Sequence, residues 1–277
     1  MKFIYKKACT HSGRFHADDV FSTALVRYLN PNIQIIRVND VPDDFDGLVY
    51  DIGRGKYDHH MPECEVRPNG IKYAAFGLLW RDFGAGIIGR EKALGFDERF
   101  VAPLDLSDNT GEYNQVAEII SAFNPQWNSV KSQDEAFNEA TDFALRILIK
   151  IFGKYKSVEA AKKIVHEAYS SSDKTTVKLE KYVPWKDVLE NSPAKFVMFP
   201  SQRGGYAVVG VPAVNEQHPK VMFPESWAGL CDEELEQVSG IRGMKFCHVG
   251  RHMISASDMQ ACETAIQKTL EQSEIEK

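Results

Sequence analysis

The sequence lacks the features that mark several common protein classes. Its five cysteines (Cys9, Cys64, Cys231, Cys247 and Cys262) are odd in number, widely separated and form no C-x-x-C pair. That excludes a disulfide framework or a zinc ribbon as the organising element and fits a reducing compartment. No stretch approaches the roughly eighteen uninterrupted apolar residues of a membrane span, and the opening MKFIYKKACTHSG carries no apolar leader core. The expectation is a soluble, unexported, cytoplasmic chain with no membrane partner. Low-complexity tracts and fixed-period repeats are missing as well. Positive charge is in deficit: 33 Lys and Arg stand against 39 Asp and Glu, a net charge of -6. Wrapping of a long duplex is therefore disfavoured, whereas an enzyme that grips a few nucleotides through metal ions or local cations is not.

What is present is ordinary globular material, 43% apolar and 26% charged over 277 residues, enough for two domains. After KKACTH and a glycine-containing break, Val20, Phe21, Ala24, Leu25, Tyr28 and Leu29 recur at helical spacing, which predicts a strand, a turn and a helix over 17–30 that stops at Asn30-Pro31. IQIIRV (33–38) and GLVYDIG (47–53) read as further strands. Strands alternating with a helix imply a parallel α/β sheet, with working groups at the strands' carboxyl ends, where His11 and Asp51 fall. Residues 72–180 read as helical, up to Pro184. Beyond it, KFVMFPS and YAVVGVP flank Arg203-Gly204-Gly205 as a hairpin, and KFCHVG precedes a helix over 258–271. The predicted division is a domain over 1–184 followed by a smaller α/β domain over 185–277.

Ionisable groups crowd the first 60 residues: His11, His16, Asp18, Asp19, Asp51 and the run Asp58-His59-His60. Asp18 and Asp19, taken alone, read equally as caps of the following helix, since carboxylates accept its free N–H groups. A lone His11 or His16 has many ordinary roles. Asp51, placed after the apolar GLVY run, needs a partner where the sheet ends. Taken together, imidazoles and carboxylates of this kind suit Mn, Fe, Zn or Co, delivered from several strand-end loops to one place.

The segments THSGRFHADDV and VYDIGRGKYDHH resemble the DHH phosphoesterase superfamily, and specifically its melanocyte-proliferating-gene branch of metal-dependent hydrolases or exonucleases. The similarity extends through KYAAFGLLWRDFG, LDLSDNTGEYN, YVPWKDVL and the FPESWAGLCDEELEQVSGIRGMKFCH block to the final helix. The resemblance implies a parallel-sheet DHH domain with a helical segment, a second domain closing over its metal face, and two divalent ions, manganese or magnesium. One ion would be held by His11, His16 and Asp51. The other would be held by Asp18, Asp51, His59 and an acid of LDLSDN, with Asp108 preferred to Asp105. Asp58 would orient an imidazole and His60 would act on the phosphate or its leaving group. Lys186, Arg203, His248 and Arg251 are the implied substrate contacts of the second domain, against the ordinary readings of a Gly-Gly turn and an interior histidine. Val249-Gly250-Arg251-His252-Met253-Ile254-Ser255 replaces the family's glycine-rich stretch, which leaves less room for backbone approach to a phosphate.

The implied activity is a metal-dependent phosphodiesterase, a 3′-5′ exonuclease on RNA or short oligonucleotides using a two-metal hydroxide mechanism. The alternatives are a hydrolase of a small phosphorylated metabolite, such as pyrophosphate or a nucleotide bisphosphate, and a non-catalytic nucleotide- or RNA-binding regulator. The oligomeric state stays open, a homodimer included.

Overall fold

Parallel pairing near the start of the chain sets the position of everything that follows. The computed structural model describes residues 3–214 and 216–275; Met1 and Lys2 of the opening segment lie outside the described residues. β1 (Lys7–His11) has a buried centre and is the middle strand of a three-stranded parallel sheet ordered β2-β1-β3. α1 (Ala17–Leu29) crosses to β2 (Gln34–Val38), which pairs along all of β1, and the chain then returns to the opposite edge for β3 (Leu48–Val49). This reversal opens a crevice beyond the carboxyl ends of β1 and β3, the place where such sheets hold ligands. α1 ends where Pro31 forces Asn30 into extended backbone, φ -143° and ψ 98°.

Helices cover the sheet: α2 (Ala75–Ile88), α3 (Arg90–Phe96), a π-helical turn over Asp97–Val101, α4 (Ala102–Thr110), α5 (Gln115–Ser121) and the long α6 (Gln133–Ser171). An aromatic cluster joins them. Trp80 of α2 stacks on Phe152 of α6 at 5.4 Å and meets Phe96 of α3 edge-on at 4.8 Å, and its indole N–H donates to the Ala93 carbonyl at 3.0 Å. Tyr28 of α1 packs on Phe152 at 5.0 Å. Pairs of this kind add about 1 kcal/mol each to their area burial and hold α1 and α2 in fixed orientation.

The chain forms two compact units, the first ending at Lys156 and the second beginning at Ser157, within α6. The expected division at 184/185 lies inside the second unit. There Ala161 and Val165 of α6 are buried with Val177 and Leu179, and β4 (Thr176–Lys178) pairs in parallel with β5 (Phe196–Pro200). After α7 (Lys186–Leu189), the hairpin of β5 and β6 (Tyr206–Gly210) forms as expected. α8 (Asp232–Ser239), β7 (Met244–Cys247), β8 (Met253–Ala256) and α9 (Met259–Ile275) complete a mixed sheet ordered β4-β5-β6-β8-β7. One face, through Phe196, Met198, Val208, Met244 and Ile254, packs against Leu235 of α8 and Cys262, Ala265 and Ile266 of α9. Two strands went unannounced by the sequence: β4 lies inside the stretch read as helical, and β8 overlaps the 249–255 segment, each with too few residues to show alternation. The whole is therefore mixed α/β, with one parallel and one mixed sheet.

The hairpin turn shows why two glycines follow Arg203. Gly204 and Gly205 have φ of +88° and +68°, and a Cβ on Gly205 would lie 2.1 Å from the Ala256 carbonyl oxygen, whereas one on Gly204 meets nothing. Gly205→Ala should therefore destabilise the protein by about 2 kcal/mol or more and Gly204→Ala by about 1 kcal/mol, read from urea unfolding midpoints. Equal losses would refute the close-approach argument.

Candidate metal centre

The crevice beyond β1 and β3 collects the acids and imidazoles of four separate segments. His11 is the last residue of β1, and Asp51 lies just past β3. Asp51 adopts φ +57°, a left-handed conformation uncommon for a residue with a side chain, and its N–H donates to the Tyr57 carbonyl at 2.9 Å. α1 delivers Asp18 and Asp19 from its first turn. Asp19 accepts the His16 N–H at 2.8 Å, capping its own helix, while Asp18 caps a different one by accepting the Ala75 and Phe76 N–H groups at 3.0 and 2.7 Å. The expected capping of α1 holds for Asp19 but not for Asp18, which caps α2, and neither contact consumes all the lone pairs of the carboxylates. α4 contributes Asp108 and Asn109.

The protonation pattern of the two inner imidazoles decides what the site can hold. His11 Nδ1 lies 2.9 Å from the Ser12 carbonyl oxygen, which only accepts, so Nδ1 carries a proton and, in the neutral ring, Nε2 presents its lone pair. That lone pair faces Asp19 Oδ2 at 3.2 Å and Asp51 Oδ2 at 3.3 Å. His59 repeats the arrangement. Its Nδ1 lies 3.2 Å from Asn109 Oδ1, and the Asn109 amide is oriented by donating to the Asp105 carbonyl at 2.8 Å. His59 Nε2 then faces Asp51 Oδ1 at 3.2 Å, Asp108 Oδ2 at 3.3 Å and Asp18 Oδ2 at 3.8 Å. Lone pairs facing carboxylates repel unless a proton or a cation lies between them. Metal-ligating histidines show this same disposition, the second ring N–H being given to a carbonyl or carboxylate.

Electrostatics lead to the same conclusion. Asp18, Asp19 and Asp51 are at most 4% exposed, and Asp19 Oδ2 accepts no hydrogen bond of good geometry. Burial, with Asp51 alongside, holds the Asp18 and Asp108 carboxyls above the usual range, and burial outweighs His11 in raising Asp19. Asp51 goes the other way: burial would raise it, but His11 and His59 together lower it. Burial pulls both imidazoles down, yet the carboxylates prevail and push His11 up to about 11 and His59 up to about 9. So much clustered negative charge requires protonated rings or bound cations to offset it. The donors form three groups, His11-Asp19-Asp51, Asp51-His59-His60 and Asp18-His59-Asp108, each with one ligand atom per residue lying within 4.8 Å of the others, and Asp51 and His59 are the members they share. Asp51 offers one oxygen to each imidazole, and this nitrogen and oxygen set fits divalent cations.

Of the residues singled out from sequence, His11, Asp18, Asp51, His59 and Asp108 converge. Asp105 does not face them: fully buried, it lies 2.7 Å from the Arg67 guanidinium, which also grips Asp97 at 2.8 Å through two nitrogens. His16 stands beside the cluster, its ring 6.4 Å from that of His11, and lines a 670 Å³ cavity together with His59, His60, Asp108 and Tyr113. Asp58 accepts from the His60 ring at 2.7 Å and from the Arg54 N–H at 2.6 Å, leaving the far side of the exposed His60 ring free. Sequence reasoning undervalued Asp19, treated as a cap, and missed Asn109, which sets the His59 tautomer and follows directly on Asp108. In the second unit the four expected substrate contacts are dispersed. Lys186 opens α7, and Arg203 is exposed in the β5–β6 turn. His248 packs on His252 at 4.1 Å, and Arg251, at φ +54°, lines a separate 550 Å³ cavity.

Residues 7–270 match the family model MYG1_exonuc, described as Uncharacterised protein family (UPF0160). A MYG1 exonuclease of Rattus norvegicus is 30% identical over 94% of this chain and 84% of its own length. A MYG1 protein of Chlamydia pneumoniae is 29% identical over 95% and 96%, and one of Dictyostelium discoideum is 27% identical over 96% of both. No solved structure matches.

Manganese at about a hundredfold excess over its dissociation constant should stabilise the unaltered protein by about 2.7 kcal/mol, and Asp51→Ala should abolish that gain. Calorimetric melting checks this; an equal gain in the variant would contradict the shared-carboxylate arrangement.

Proposed function

Because the chain belongs to the MYG1 family, matched over residues 7–270, we propose that it is a metal-dependent phosphodiesterase, a 3′-5′ exonuclease acting on RNA or short oligonucleotides. The observation that carries this reading is Asp51, whose two carboxylate oxygens face the Nε2 atoms of two different imidazoles at 3.3 and 3.2 Å. The exonuclease names of several relatives support the nucleic-acid substrate.

His11 and Asp19, with His16 beside them, would hold one ion, and Asp18, His59 and Asp108 the other, with Asp51 shared. Manganese or magnesium bound there supplies a lowered pKa for the attacking water and neutralises charge on the phosphodiester oxygens. The chain's own residues do the rest. Burial of the carboxylates keeps competing water from the ligand oxygens, and Asn109 and the Ser12 carbonyl hold the two rings in the ligating tautomer. His60, held through Nδ1 by Asp58, lines the cavity and would serve as the general acid toward the leaving oxygen. Asp58 acts through His60 and is a positioning residue. Lys186, Arg203, His248 and Arg251 are assigned to substrate phosphates in the second unit.

Asp51→Ala and His59→Ala should each abolish manganese-dependent hydrolysis of RNA labelled at its 5′ end while the far-UV spectrum stays native. His60→Ala should lower kcat by about 10²- to 10⁴-fold. The unaltered protein should shorten the RNA one nucleotide at a time on a sequencing gel. Full turnover in the Asp51 variant, or a single internal cut, would overturn the reading.

A further inference from the structure

The second unit's sheet has a face of which the mechanism above uses only Arg203. Phe199, Ala207, Ser255 and Phe246 form one register row across four strands: Phe199 of β5 pairs with Ala207 of β6, Ala207 with Ser255 of β8, and Ser255 with Phe246 of β7. All four belong to the side opposite the one packed on α8 and α9, since their neighbours Met198, Val208, Ile254 and Cys247 are the residues buried there. Small residues floor the middle of the row and a phenylalanine stands at each end. Three strand spacings separate those ends, about 14 Å. Tyr182, 56% exposed, sets its ring edge-on to Phe199 at 5.1 Å and extends one wall.

These residues line a 630 Å³ trough to which Arg203 and Lys245 also contribute, and no carboxylate lines it. Among the described residues neither cation has an acidic partner within 4 Å, although the chain as a whole is acidic. Half-buried aromatic rings, Phe199 backed by the cluster of α6 and β4 residues, are separated by small residues and flanked by free cations; together they combine the two elements of single-strand recognition, flat faces for bases and positive charge for the backbone. An apolar protein surface would use the rings but leave Arg203 and Lys245 unmatched, which favours a polyanion.

We propose that this sheet face binds single-stranded nucleic acid, stacking bases on Phe199, Phe246 and Tyr182 while Arg203 and Lys245 contact the phosphates. The proposal rests on the nuclease reading of the metal centre and adds to it a second contact surface for the strand. Longer strands therefore bind more tightly than dinucleotides.

The test is fluorescence anisotropy of the full chain in manganese with a nuclease-resistant phosphorothioate oligouridine ten-mer, competed by the corresponding dinucleotide. Phe246→Leu and Phe199→Leu keep apolar volume but remove the ring face. Each should lower the ratio of ten-mer to dinucleotide affinity about tenfold, and Phe246→Trp should restore it. Lys245→Ala, a fully surface change, should reduce the slope of log affinity against log salt by about 0.7. Ten-mer affinity and salt slope that stay unchanged in all these variants would overturn the proposal, as would leucine variants that alter only self-association of the chain, which would assign the face to protein contact. Hydrolysis by the unaltered protein separates the two failures: cleavage of an unmodified uridine dinucleotide with no tighter binding of the ten-mer defeats the sheet-face site and leaves the nuclease reading standing.

Discussion

Asp51 Oδ2 faces His11 Nε2 and Asp51 Oδ1 faces His59 Nε2, each across little more than 3 Å, and carbonyl acceptors already hold both Nδ1 protons. Two lone pairs aimed at opposite oxygens of one buried carboxylate are tolerable only with positive charge between them. This constraint governs much of the first unit. It explains why Asp51 keeps a left-handed backbone, why Asn109 has its amide oriented by the Asp105 carbonyl, and why three further carboxylates stay beside it although burial opposes their ionisation.

The surrounding structure is arranged to keep those atoms in place. Asp18 is tied to the first N–H groups of α2, so the helix that carries Trp80 into the aromatic core also fixes a ligand. α4 is held from behind by Arg67, which lies between Asp97 and Asp105 and stacks over Tyr73 at 3.9 Å. Gly77 on α2 leaves room for that network, since a Cβ there would fall 1.9 Å from Asp105 Oδ2. A guanidinium buried between two acids is costly to disturb, because removing it strands their charges. Asp105 therefore stabilises the helix from which Asp108 reaches the centre, and the two acids of LDLSDN divide structural and ligand roles.

Much of this was legible in the residues. The helical spacing from Val20 to Leu29, the β-rich runs on either side and the Asn30-Pro31 stop yield the strand–helix–strand unit, and strand-end logic places His11 and Asp51 together. The hairpin around Gly204-Gly205 is equally plain. Other features depend on three-dimensional relations that spacing does not encode. His16 and Asp19 both lie at the start of α1, and only the direction of the first helical turn sends Asp19 toward His11 and leaves His16 beside the cavity. Asp18 caps a helix 57 residues further along the chain, a contact no local rule announces. β8 is too short to show its period, and the passage between units occurs inside the unbroken helix α6, which runs on through Gly153 with no proline to mark a linker.

The central claim, a carboxylate shared between two cation positions, is tested most directly by anomalous diffraction from crystals of the protein grown with manganese. Two peaks about 3.5 to 4 Å apart, with an Asp51 oxygen directed at each, are the expected result. A single peak, or a pair coordinated without Asp51, would contradict the account.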